Sequence, residues 1–86
     1  MAQISRESEG VRYTGGCEPN GVFMPGMMFC VSCGGQVDPY TTDWFGLGCS
    51  LCNKRLKIFA TRDEMHDYLS QEWTRLQQIC EARALR

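Results

Sequence analysis

Two pairs of cysteines, Cys30 and Cys33 in FCVSCGG and Cys49 and Cys52 in GCSLCNKR, constrain this chain more than anything else in it. They take four of its six cysteines, and fifteen residues separate the two pairs. Two residues between thiols let one tight turn aim both sulfurs at a single point. A second such turn completes a tetrahedron of thiolates at metal–sulfur distances of about 2.3 Å. A chain of 86 residues needs help of this kind, because one small core supplies only about 3–5 kcal/mol. The spacing therefore points to one structural zinc ion on Cys30, Cys33, Cys49 and Cys52. A site filled by four thiolates keeps no position for water or substrate, and its binding free energy becomes folding free energy.

The turns CVSCGG and CSLCNKR resemble the two knuckles of the zinc-ribbon family, small β-rich modules in which two hairpin turns grip one ion. The resemblance spans about residues 28–60. The usual knuckle has a proline after its first cysteine and a glycine after its second. Here only Gly34 fits, and Asn53 stands where the other glycine would be. Asparagine tolerates left-handed backbone better than most residues, so the second turn is expected to form as well. Iron in a rubredoxin-like site uses the same four thiolates and is the lesser alternative. Zinc ribbons serve transcription, RNA handling, ribosomes and protein docking alike, so the resemblance implies a fold and a metal, not a function.

The opening MAQISRESEG lacks the apolar stretch of a secretory signal, and no segment approaches the roughly 20 apolar residues of a membrane-spanning helix. If the chain is complete it is expected in the cytoplasm, where paired thiols hold a metal more often than each other. Cys17, in the turn-rich GGCEPNG, and Cys80, on a predicted helix, are expected to be a loop thiol and a small buried hydrophobe.

The spacing and periodicity predict a small, metal-stapled α+β domain. Residues 1–10 are polar and expected to fray. Residues 11–60 read as the β-rich ribbon: short apolar runs broken at Pro25–Gly26, a strand near Gln36 and Val37, a turn at Asp38–Pro39, a return strand through Thr42–Leu47, and a closing strand in RLKIFA. Residues 61–86 read as one amphipathic helix from about Arg62 to Ala84. Thr61 and Glu64 form a capping box, and Met65, Tyr68, Leu69, Trp73, Leu76, Ile79 and Cys80 form its apolar stripe.

Such a helix is about 34 Å long and outreaches ribbon strands of about 17–20 Å. Its distal stripe must be covered by the segment carrying Met24, Met27 and Met28 or by another chain, so Met24, Met27, Met28, Trp73, Leu76 and Ile79 are the candidate protein-contact residues. The residues at 65, 69, 72, 76, 79 and 83 also follow coiled-coil spacing, which points slightly to a homodimer through the helix, with Glu72 met by Arg75 or by Arg83 of an antiparallel neighbour.

A net charge of −1, with a further −2 or so from a tetrathiolate zinc centre, speaks against generic binding of nucleic acid. The competing set is Lys54, Arg55 and Lys57 with Trp44, a small phosphate-contact and stacking patch. His66 is the single histidine, and no acid–base pair, phosphate loop or nucleophile elbow is recognisable, so no enzyme and no small-molecule substrate are expected. The expected function is that of a non-catalytic zinc-binding regulator or adaptor docking on a protein partner, of a size that suits a phage or mobile-element protein acting on a host complex. The alternative is a nucleic-acid-binding ribbon in a transcription or RNA complex.

Overall fold

The computed structural model of the protein describes residues 2–84. Six strands precede one helix: β1 Ala2–Ser8, β2 Val11–Cys17, β3 Phe23–Cys30, β4 Gln36–Tyr40, β5 Phe45–Cys49, β6 Arg55–Phe59 and α1 Arg62–Ala84. The strands lie in sequence order in one antiparallel sheet. The helix covers one face of it, and the other face is open.

Residues 2–8, expected to fray, are a fully paired edge strand running from Ala2↔Cys17 to Ser8↔Val11. Glu9 and Gly10 join it to β2 with φ of 52° and 85°. Both central residues being left-handed makes this a tight hairpin turn whose twist matches that of the strands. Glutamate is an uncommon first residue for such a turn, and Ile4 is the strand's one large apolar side chain, which is why the sequence hides it.

The chain from Phe23 to Cys30 is a single strand, with one extra residue opposite the Tyr13–Gly15 step of β2 absorbing the Pro25–Gly26 punctuation. Asp38–Pro39, expected to turn, lies inside β4, where Pro39 pairs with Leu47. Strand β3 pairs with β4 only at Met28↔Val37 and Phe29↔Gln36. At Pro39 one side of β4 therefore has no partner, the position in a sheet that a proline tolerates.

The helix spans Arg62–Ala84, as its period and caps predict. The Glu64 N–H donates to the Thr61 hydroxyl at 3.2 Å, and the Glu64 carboxylate accepts from the Ala60 N–H at 3.2 Å. Most of its stripe packs on its own sheet, and Ile79 is left exposed. Leu76 and Cys80 are fully buried among Ile4, Val11, Tyr13, Phe23 and Leu47. Trp73 meets Tyr13 edge-on at 5.6 Å and stacks on Phe23 at 5.9 Å. Phe23 lies so close over Gly15 that a Cβ there would fall 2.2 Å from the ring. No second chain is required to complete this core, because strands β1–β3 extend along the distal half of the helix.

Glu72 is buried in the seam and is met by Arg75, one of its two expected partners, with Arg6 of its own chain in place of a neighbour's Arg83. Arg6 on β1 donates to one carboxylate oxygen, and Arg75, one turn along, donates to the other at 3.3 Å. A buried carboxylate without such partners is strongly unfavourable. The Arg6 bond fixes β1 against the helix, and the Arg75 bond lies within the helix itself.

Candidate metal centre

Each cysteine pair ends a strand and enters a turn closed by the same two backbone bonds. In the first, the Gly34 N–H donates to the Cys30 carbonyl at 2.8 Å, and the Cys30 N–H to the Gly35 carbonyl at 2.8 Å. In the second, the Asn53 N–H donates to the Cys49 carbonyl at 2.9 Å, and the Cys49 N–H to the Lys54 carbonyl at 3.0 Å. Gly34 and Asn53 hold matching left-handed positions, with φ of 77° and 61°. Asparagine thus does in the second turn what glycine does in the first.

The β4–β5 pair brings the turns together, with Val37 opposite Cys49. The Ser50 N–H and hydroxyl both donate to the Gln36 carbonyl at 3.1 Å, tying the second turn to the strand that leaves the first. The sulfurs of Cys30, Cys33, Cys49 and Cys52 all lie within 4.8 Å of one another, and Cys33 and Cys49 approach to 3.2 Å. Four thiolates at about 2.3 Å from one ion stand about 3.8 Å apart, so these four can hold a single metal and are compatible with one zinc.

Backbone donors prepare the sulfurs for charge. Cys49 receives the Cys52 N–H at 3.4 Å, and this bond, against burial and with help from Cys33, brings its thiol down to about 6. Cys30 is likewise lowered, chiefly by the Cys33 N–H. Cys33 receives the Gly35 N–H, which alone favours its thiolate, but the adjoining thiols, Cys49 foremost, push it up to about 12. Crowding of this kind is relieved when a divalent cation replaces the shared protons.

The remaining two cysteines are bonded to each other. Cys17 at the end of β2 and Cys80 on the helix form a disulfide with Cα atoms 5.2 Å apart. The expectation of two unrelated thiols is corrected, since they lie 63 residues apart and only the packing of the helix on the sheet brings them together. The bond also weighs against a reducing compartment, where structural disulfides are rare. Among the described residues no helix is long and apolar enough to cross a membrane.

The candidate contact residues divide by face. Met24 and Met27 are exposed on the face away from the helix. Met28 and Trp73 pack against the core, Leu76 is inside it, and Ile79 is exposed on the helix. The candidate nucleic-acid set also divides. Trp44 stacks on Tyr40 at 5.0 Å, with the Arg55 guanidinium 4.7 Å from its ring; Trp44 roofs Gly46 and Gly48, and Tyr40 covers Gly48. Lys54 lines the same hollow.

Lys57 does not join them. Between Leu47 and Gly48 the partners on β6 jump from Lys57 to Arg55, a bulge that turns Lys57 toward the helix. There it pairs with Glu9 at 2.8 Å and lies 5.0 Å over the Tyr68 ring. Tyr68 donates to the same carboxylate at 2.9 Å. This bond to Lys57, followed by that to Tyr68, lowers Glu9, and Glu9 in turn raises Lys57. The sequence signals none of this node, because Glu9, Lys57 and Tyr68 sit in three separate elements.

No family model matches the chain, and neither the curated proteins nor the solved structures yield a match. The fold and the site define a small α+β protein with a four-cysteine cluster able to hold a metal ion.

Proposed function

We propose that the protein is a non-catalytic, zinc-stapled adaptor that docks on a protein partner, built on a ribbon-like pair of knuckles. The observation that carries the metal half of the proposal is the convergence of four thiols at the ends of two matching turns. With every tetrahedral position taken by sulfur, the ion serves structure and offers no Lewis-acid site. The docking half is supported by apolar side chains left uncovered: Val31 and Leu51 at the knuckle tips and Met24 and Met27 on the open face. Methionines make an adaptable contact surface.

The metal is tested by native mass spectrometry with and without chelator, where one zinc per chain is expected. Docking is tested with any captured protein after both partners are purified. Binding is expected to fall on Met24→Glu with Met27→Glu while zinc content and circular dichroism stay unchanged.

A second reading is favoured by one observation, the Tyr40–Trp44–Arg55 stack with Lys54 beside it. Such a platform suits a base and a phosphate of single-stranded nucleic acid. With Lys57 committed to Glu9, only two cations remain there. Tryptophan fluorescence titrated with a single-stranded oligonucleotide at two salt concentrations decides it. Salt-sensitive quenching that disappears on Arg55→Glu supports the second reading, and an unchanged signal removes it.

A further inference from the structure

The sheet has four stretches of strand without a neighbour, and three of them carry features that discourage pairing, β4 through Pro39. The open side of β3 holds Phe23, whose N–H is already taken by the Gln77 side chain at 2.8 Å. Two residues on, Pro25 turns its ring nitrogen the same way and has no N–H to offer. Strand β6 carries Arg55 and Lys57 and is distorted by its bulge. Positive charge, proline and bulges are the usual protections of a sheet edge.

Strand β1 has neither a proline nor a bulge, and its one cation, Arg6, is engaged by Glu72 of the helix. It is seven residues long, pairs with β2 without any register shift, and contains no proline, glycine or lysine. Its hydrogen-bonding sense follows from both ends of β2. The Glu18 N–H donates to the Val22 carbonyl at 2.8 Å and the Val31 N–H to the Gly10 carbonyl at 3.1 Å, so those are the bonded pairs beyond Cys17↔Phe23 and Val11↔Cys30. Bonding alternates along an antiparallel strand. Cys17 and Val11 therefore turn their backbone groups toward β1 and engage Ala2 and Ser8. By the same alternation Ile4 and Arg6 bond inward, and Gln3, Ser5 and Glu7 point their N–H and C=O groups out of the sheet.

We propose that this edge pairs with the β1 edge of a second copy of the chain, antiparallel, joining the two sheets across a twofold axis at Ser5. Full overlap of residues 2–8 allows one register: Ser5 opposite Ser5, Gln3 opposite Glu7, Ile4 opposite Arg6 and Ala2 opposite Ser8. In it the outward-pointing residues face one another as bonded pairs, three N–H donors from each copy. The Gln3 amide meets the Glu7 carboxylate, and no like charges are opposed. Slipping one way places Arg6 against Arg6 and then Glu7 against Glu7, both disfavoured in a sheet, and slipping the other way centres the pair on Ile4 or Gln3 and shortens the overlap. The same complementarity makes a second copy a better occupant than an arbitrary extended peptide. It does not depend on the proposed docking function or on self-association through the helix, whose stripe, Ile79 apart, packs on the sheet.

The test is sedimentation equilibrium of the zinc-loaded, disulfide-bonded chain over a wide concentration range, with two variants. Ser5→Pro removes an N–H that points outward and leaves the bonds to β2 in place. Ser5→Lys sets two like charges opposite each other at the axis, on the open face where the monomer has room. A concentration-dependent dimer is expected, with its dissociation constant raised roughly ten- to hundredfold by each variant while circular dichroism and zinc content stay those of the parent. A monomer at every concentration, or a dimer that both folded variants leave intact, overturns the proposal. Should Ser5→Pro fail to fold, Ser5→Lys decides alone. A mixed complex with an unrelated extended peptide that Ser5→Pro abolishes, in a chain that never dimerises, also overturns it in favour of a different occupant.

Discussion

The two ends of the molecule are both held by cysteines, yet they are held in different ways. At the knuckle end only two residues stand between the cysteines of a pair, and each pair needs only its own turn to form. At the far end Cys17 and Cys80 meet across 63 residues, brought together by the packing of the helix on the sheet. The disulfide end is also the better covered, with Tyr13, Phe23, Trp73 and Leu76 around it and Gln77 bonded to the Phe23 N–H and, at 3.1 Å, to the Gly21 carbonyl. The knuckle end exposes Val31 and Leu51 and relies on its sulfurs. Local pairs suit a region too thin to have a core, and the distant pair reinforces a region that has one.

The largest effect should come from the metal. Structural zinc binds with about 10 kcal/mol or more, and removing it by chelation or by Cys49→Ser is expected to melt the turns and the β4–β6 meander. Amide exchange should report this loss first in residues 30–59 and later in the helix. Equal loss of protection at both ends would abolish the contrast between them.

Next comes the disulfide. Closing a loop of 63 residues is worth about 4 kcal/mol on the chain-entropy account. The double variant Cys17→Ala, Cys80→Ala should lower urea stability by an amount of that order without changing zinc stoichiometry. If zinc is lost as well, the two ends fold as one unit.

Glu72→Ala should follow, at about 2 kcal/mol. The lost carboxylate leaves Arg6 and Arg75 without their partner, and both arginines are open enough to water to limit the cost. Glu72→Gln, which keeps a hydrogen-bond acceptor, should recover part of it in the same urea titration.

The smallest effect is the Glu9–Lys57 pair. Glu9 is depressed, so its contribution is present above the ordinary carboxylate value of 4.5 and is lost as pH falls through its lower folded value. Lys57 is raised, so its contribution is complete below 10.5 and is lost as pH rises through its higher folded value. The pair therefore acts fully between those limits. Lys57→Met should flatten the alkaline limb of the stability profile, with little effect at neutral pH because Glu9 is half exposed.

Much of the knuckle end was legible because its information is local. The C-x2-C spacing and the glycine and asparagine that follow it specify two turns without reference to the rest of the chain. The helix was legible for a similar reason, its period and cap running unbroken from Thr61. What escaped depends on distant contact. Strand β1 has one large apolar residue and is defined by pairing with β2, Arg6 is recognisable as the partner of Glu72 only once that strand is placed, and Cys17 has no mark of its bond to Cys80. Lys57 read as a companion of Arg55 because a strand alternates, and a single bulge in β6 separates the two.

The Cys17–Cys80 bond encloses both knuckles within its 63-residue span. A protease that cuts the β4–β5 connection, between Tyr40 and Phe45, would therefore produce two polypeptides that cannot separate. The disulfide joins them at one end, and a metal shared by Cys30, Cys33, Cys49 and Cys52 would join them at the other. On a gel the break would become visible only after reduction, and with the ion in place the nicked molecule would carry two covalent chains as one folded body.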